Sequence, residues 1–331
     1  MIPHPAHQPP GPARLFRSGG PGTAALAEHV LATGHGTWWT DRAERPRAIA
    51  VTCGDHALLA GDPTALTPAD LAPLAGRRVE APERFLPVLA AAFDRLHPRH
   101  RMLYIHRAAG VPPRLPRGVT VRRLRPEDGP VLAAAAPATA RLHASWGGPA
   151  ALAASGYGWA AFRKDRVLAM ACTRFTGTRY EDVACTTTPD GRRQHLSLAC
   201  VQGLVADVTA RGRTATWSCA GDNRAGRLLA WTAGFRLARE YVQHATGPVP
   251  VSGDPPTAPD ARVDGASAGA AVGWRDSSIQ PPLLRLNDRW LAAGPCAERT
   301  LEVSELAAVS AASACAPRLR ARASRNLRLR S

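Results

Sequence analysis

Lysine is all but missing from this 331-residue chain: Lys164 is the only one, so arginine supplies 41 of its 42 basic residues. Aromatic residues are scarce at 5%. Long apolar runs are lacking too, and without a stretch of about eighteen such residues no helix is expected to span a bilayer. Met1 to Pro12 is rich in proline and histidine and has no apolar core, so no secretory leader is expected. The seven cysteines are scattered (Cys53, Cys172, Cys185, Cys200, Cys219, Cys296, Cys315) and form no C-x-x-C pair, which argues against a redox motif. They read as buried thiols in a reducing compartment, and a cytoplasmic protein is expected. Gly19-Gly20-Pro21-Gly22 is followed by no Gly-Lys-Ser/Thr, which excludes a P-loop.

Charge and apolar content are what the chain does have. The formal net charge is +16 and the hydrophobic fraction is 45%. Heavy alanine, proline and glycine use beside the arginine suggests coding bias rather than selection for one ligand. The field acts whatever its origin and favours polyanions such as CoA, nucleic acid or acidic surfaces. Residues 248–331 carry 11 arginines against 8 acids, so most of the excess lies upstream.

Residues 1–20, rich in Pro, Gly and His, are expected to be disordered. A first α/β region, 21–109, reads as a helix from Thr23 to Thr33 stopped by Gly34, then strands at Thr37–Thr40, Ala48–Cys53 and His56–Ala60. A helix start follows at Thr67, a helix over Arg84–Leu96, and a strand at Met102–His106. Pro112, Pro113 and Pro116 stiffen a linker, 110–118. The second region, 119–247, reads as strand (Val119–Leu124), helix (Pro126–Ala136), short helix (Pro149–Ser155) and strands at Tyr157–Phe162, Val167–Thr176 and Glu181–Thr187. The best helix, Gln194–Thr209, spaces Leu198, Val201, Val205 and Val208 along one face. Strand Thr214–Ser218, helix Arg224–Ala233 closed by Gly234, and strand Phe235–Gln243 complete it. Residues 248–331 read as a low-complexity, disordered, Arg-rich tail with helix-like order at Leu301–Ala312. Its Gly265-Ala266-Ser267-Ala268-Gly269 matches the serine-hydrolase pattern by chance, since no strand precedes it and no helix follows.

The informative stretch is Tyr180 to Tyr241. A strand runs into Pro189-Asp190-Gly191 and then an arginine-bearing helix start. Such an N-terminus offers unpaired N–H groups and a positive dipole end to a phosphate, and Arg192 and Arg193 add cationic donors. A second strand–helix unit turns at Asp222-Asn223, where Asn223 suits an N-cap.

The order of these elements, the Pro-Asp-x-Arg-Arg turn, Trp217-x-Cys219 before Asn223 and Gly234-Phe235 before the last strand resemble the GNAT family of acyl-CoA N-acyltransferases. The opening Val119–Asp128 and the segment His143–Phe162 resemble it as well. The likeness is greatest to the two-part group whose GNAT half is C-terminal, and it covers roughly 119–246. It implies an α+β fold, a mixed sheet with helices, preceded by a smaller α/β domain. It also implies acetyl-CoA as co-substrate. In the family a glycine-rich turn wraps the CoA diphosphate; here that turn reads Arg192, Arg193, Gln194, His195, Leu196, Ser197, with His195 and Ser197 at positions where the family has small residues. The backbone of Cys185 and Thr187 would lie along the thioester and pantetheine, their strand splayed from Thr214–Ser218, with Asn223 near the pantetheine arm. The family's usual tyrosine acid has Ala230 in its place.

By the same likeness the reaction is direct attack of an amine on the thioester, which needs a proton acceptor. Asp182 is the first candidate, with its neighbour Glu181 on the opposite face of the strand, and His143 is another; each also reads as an ordinary structural side chain. Cys53-x-x-His56 and His97-x-x-His100 have ligand-like spacing but lie far apart, and no metal is expected. The resulting expectation is an N-acetyltransferase acting on a small-molecule primary amine, with no membrane or nucleic-acid partner. Two alternatives are a catalytically silent GNAT-fold binding module with a degenerate CoA loop, and an Arg-rich nucleic-acid-associated protein.

Overall fold

The computed structural model describes residues 1–16, 19–135 and 139–248, together with two three-residue strands, Leu284–Leu286 and Arg289–Leu291, that pair antiparallel. The tail features expected above, including the helix at Leu301–Ala312 and the Gly265–Gly269 pattern, lie outside the described residues. In chain order the strands are β1 (Ile2–Pro5), β2 (Thr37–Thr40), β3 (Ala48–Cys53), β4 (His56–Gly61), β5 (Arg78–Glu80), β6 (Leu96–His106), β7 (Thr120–Arg123), β8 (Gly158–Arg163), β9 (Arg166–Thr176), β10 (Tyr180–Thr187), β11 (Thr214–Ala220) and β12 (Phe235–Thr246). The α-helices are α1 (Leu26–Thr33), α2 (Leu86–Ala92), α3 (Gly129–Ala134), α4 (Ala140–His143), α5 (Pro149–Ser155), α6 (Leu196–Ala210) and α7 (Arg224–Thr232).

These strands make one mixed sheet in the order β1-β2-β3-β4-β5-β12-β6-β11-β10-β9-β8-β7. Its pairs are antiparallel except β4–β5 and β10–β11. The mixed α+β sheet is thus the expected one, and the β10–α6–β11 unit is the strand–helix–strand read between Tyr180 and Ser218. One placement differs. The strand ending the first region, β6, lies between β11 and β12 and pairs with both. An antiparallel strand between two parallel ones satisfies the hydrogen-bonding edge of each, and β6 also buries Leu103, Tyr104 and Ile105.

Sequence periodicity explains the main packing. The stripe Leu198, Val201, Val205 and Val208 of α6 is buried against Val183, Ala215, Trp217 and Phe235. Burying each such side chain contributes on the order of 1.5–3 kcal/mol. Gly203 lets α6 lie flat on the sheet, because a Cβ there would stand 2.5 Å from the Trp159 ring. In the N-terminal half Leu71, Leu74, Val79, Phe85, Leu89 and Phe93 form one core cluster. Leu26, Val30, Trp38, Val51 and Phe175 form another. Trp38 is fully buried and its Nε1 donates to the Ala6 carbonyl at 3.1 Å, so it is a core residue.

Two local expectations fail for identifiable reasons. Residues 2–5, taken as disordered from composition, pair with Thr37–Thr40 as the sheet's edge strand. An edge position tolerates Pro3 and Pro5 because one side of the strand needs no ladder donor. The helix expected over Arg84–Leu96 is α-helical only at Leu86–Ala92, and Phe93 is extended. Leu96 is instead captured by the ladder to Thr246. Among the described residues no helix is long and apolar enough to cross a membrane.

Candidate active site

β10 and β11 run parallel and pair at Tyr180–Thr214, Glu181–Ala215, Asp182–Thr216 and Val183–Trp217. Both strands continue past the last of these pairs, but apart. β10 stays on β9 as far as Thr187–Ala169, and β11 stays on β6 as far as Ala220–Arg101. The register of β10 on β9 shifts between Asp182 and Val183, a bulge at the very point of parting. Bulges bend a strand and re-aim its side chains, which supplies the local cause. The gap opens into a cavity of about 660 Å³ walled by Val183, Ala184, Cys185 and Thr186 on one side and Trp217 to Ala220 on the other, with Asn223 at its rim. Asn223 caps α7, its side chain accepting from the Gly226 N–H at 2.8 Å. Burial pushes the Cys185 thiol up to about 12, so it stays protonated and is no nucleophile near neutral pH.

At the end of β10 the chain turns through Pro189–Gly191 into α6. Gly191 is required there: a Cβ would meet the Leu168 carbonyl oxygen at 2.3 Å. Arg193 (φ 60°) and His195 (φ 55°) both take left-handed backbone conformations, which glycine adopts freely and other residues resist. His195 thus holds the turn with its ring exposed at the surface, and Arg192 and Arg193 are exposed beside it. Gln194 closes the turn, its Nε2 donating to the Asp190 carbonyl at 2.8 Å and its Oε1 accepting from Arg163 at 3.1 Å. Leu196 is buried and anchors the first helical turn. Ser197 shares a hydrogen bond with the Thr187 hydroxyl and donates to the Thr186 carbonyl at 3.4 Å. The open N–H groups of a fifteen-residue helix are thereby pinned at the end of the strand that leaves the gap.

The carboxylates expected near the chemistry are otherwise engaged. Asp182 is fully buried and accepts from Arg174, through Nε at 3.0 Å and through a second guanidinium nitrogen. Glu181, equally buried, is held by Arg211 at 2.8 Å, Arg213 at 3.2 Å and the Thr173 hydroxyl at 2.6 Å. It does not line the cavity, and both side chains have the partners of structural ion pairs rather than of a free base. His143 sits on α4 with its Nε2 unpartnered, and burial lowers its pKa. Its neighbours Arg141 and Leu142 line the cavity, while His143 does not. Ala230 is buried and brings no acid.

The cavity also has a wall that sequence reading missed. Asp55, His56, Arg78, Arg101, Arg141 and Arg174 line it. The His56 Nδ1 lies 2.7 Å from Asp55, Arg78 lies 2.8 Å from the other oxygen of that carboxylate, and Arg174 reaches the His56 Nε2 at 3.5 Å. Burial, reinforced by the Arg174 charge, lowers the His56 pKa to about 4, so the ring is neutral near pH 7. Burial alone would raise the Asp55 pKa, but the His56 hydrogen bond and the nearby cations hold it well below the usual carboxylate range. No spacing rule joins residues 55, 78, 101, 141 and 174; only the fold does, bringing the β3–β4 turn, β5, β6, α4 and β9 to one cavity.

Parting parallel strands beside a helix N-terminus are the geometry that the likeness to GNAT domains implied, and the sequence profile described as GNAT acetyltransferase matches residues 16–243. The chain belongs to the GNAT acetyltransferase family. It is similar to an uncharacterized N-acetyltransferase in the mutA 5′ region of Streptomyces virginiae, at 58% identity over 212 residues, 64% of this chain and 90% of that protein. Among solved structures, a GCN5-related N-acetyltransferase-like protein from Streptococcus suis superposes with a TM-score of 0.57 at 17% identity, covering 71% of this chain and 96% of that one. A GNAT-family acetyltransferase from Colwellia psychrerythraea gives 0.49 at 14% identity, covering 71% and 94%. At 17% identity the likeness to the Streptococcus suis protein speaks for the fold alone. The family match, residues 16–243, takes in the β4–β5 wall as well as the Tyr180–Tyr241 segment.

Proposed function

We propose that this acetyltransferase moves an acetyl group from acetyl-CoA to a primary amine of a small molecule by direct attack. The observation that carries the reading is the parting of β10 from β11 after Val183 and Trp217, with a cavity at the parting and the α6 N-terminus beside it. Acetyl-CoA supplies an activated acyl carbon; the amine nitrogen bonds to it, the carbon–sulfur bond breaks, and the thiolate leaves. Within this reading the turn Arg192–Ser197 grips the diphosphate, its helix dipole and two arginines opposing the charge. The Cys185–Thr187 backbone, unpaired on its β11 side, offers hydrogen bonds to the thioester and pantetheine, and Asn223 borders the arm. Since Asp182 and Glu181 are tied in ion pairs, and Asp55 is likewise held by His56 and Arg78, we assign removal of the amine proton to solvent reaching the cavity.

Thiol release from acetyl-CoA, measured across a panel of primary amines, tests this function. Amine-dependent release is expected. Release with no amine in a broad panel, in a chain that still binds acetyl-CoA, would leave a fold that binds without transferring.

A further inference from the structure

The cavity carries more positive charge than acyl transfer requires. Four guanidinium groups, Arg78, Arg101, Arg141 and Arg174, line it against one lining carboxylate, Asp55. Asp182, behind the wall, answers Arg174, and Asp55 answers Arg78. Arg101 and Arg141 belong to none of the ion pairs among the described residues. Arg101 donates once, to the Ser218 carbonyl at 3.2 Å, and its buried Nε has no partner. Arg141 is exposed at the cavity edge. The crowding is felt: the Arg78 pKa is lowered first by burial, against Asp55, and further by Arg174, Arg101 and Arg141.

A buried donor without a partner and like charges held together are unfavourable unless an anion arrives to neutralise them. The diphosphate seat at Arg192–Ser197 is separate, because none of those residues lines this cavity. We infer that the acceptor is an amine carrying a carboxylate or phosphate at its other end, with that anion docked on Arg101 and Arg141 and its amino end toward Asp55. The inference rests on the transfer reading above. Guanidinium forks bind either anion in pairs of parallel hydrogen bonds, so the shared requirement is a compact anionic group.

The test uses the full chain and four primary amines: 4-aminobutyrate, O-phosphoethanolamine, butylamine and 1,4-diaminobutane. For each, kcat/KM is measured on the wild type, Arg101→Gln and Arg141→Gln. The two anionic amines are expected to exceed butylamine by about tenfold or more, and each variant should pull that ratio toward one. Equal or better use of butylamine or 1,4-diaminobutane overturns the inference and leaves the transfer reading intact. Weaker acetyl-CoA binding in the variants with the amine preference unchanged also overturns it, since the arginines would then serve the coenzyme. Where no amine is acetylated, the transfer reading fails by itself, and calorimetric titration with O-phosphoethanolamine still decides the anion site. Binding that both variants weaken upholds it, and no binding to the wild type overturns it.

Discussion

The Asp182 carboxylate grips the Arg174 guanidinium beside the bulge at which β10 leaves β11, and both side chains are buried. Asp182→Asn leaves Arg174 charged and short of its partner, which costs about 3–5 kcal/mol for a buried pair. Urea unfolding of the variant is therefore expected to show a midpoint far below wild type. A variant of wild-type stability with lost turnover would instead make Asp182 the proton acceptor.

His195 holds a left-handed backbone that its side chain does not need. That conformation costs a non-glycine residue about 1–2 kcal/mol, while glycine adds a comparable entropy to the unfolded chain. His195→Gly should thus unfold within about 1 kcal/mol of wild type and bind acetyl-CoA at least as tightly. His195→Val, β-branched and strained at positive φ, should be less stable by about 1–2 kcal/mol. Equal stability of the valine variant in chemical denaturation would contradict the turn's geometry.

Two fully buried histidines set the acid limit. Burial lowers both His29 and His56 to about 4, despite the Ser145 carbonyl at His29 and Asp55 at His56. Unfolded, each titrates near 6.5, so as pH falls from about 6.5 to about 4 the unfolded chain binds protons that the folded chain refuses. Stability should drop through that window by about 1.4 kcal/mol per pH unit for each histidine and then flatten with respect to them. Equilibrium unfolding at pH 7.5, 6, 5 and 4.5 measures the slope, and His56→Gln should make it shallower. An unchanged slope in that variant would mean that His56 does not titrate as described.

What sequence could and could not give follows from the range of each signal. The stripe on α6, the Asn223 cap and the Gly34 stop are local, and each appears where its spacing put it. Asp182 and Glu181 were legible as residues of one strand facing opposite ways, but their arginine partners come from β9 and from beyond α6. Ion pairing across a sheet leaves no periodicity to read. The same holds for Asp55, Arg78 and Arg101, gathered at one cavity from the β3–β4 turn, β5 and β6. β1 was hidden by its prolines, whose composition suggests disorder although an edge strand accepts them.

The central claim is that acetyl-CoA enters the gap between β10 and β11 with its diphosphate on the turn before α6. Calorimetric titration of the full chain with acetyl-CoA, beside an Arg192→Ala/Arg193→Ala double variant, tests it most directly. One-to-one binding to the wild type, weakened about tenfold or more in the variant, is the predicted result. No heat of binding to the wild type, or equal affinity in both proteins, would contradict it.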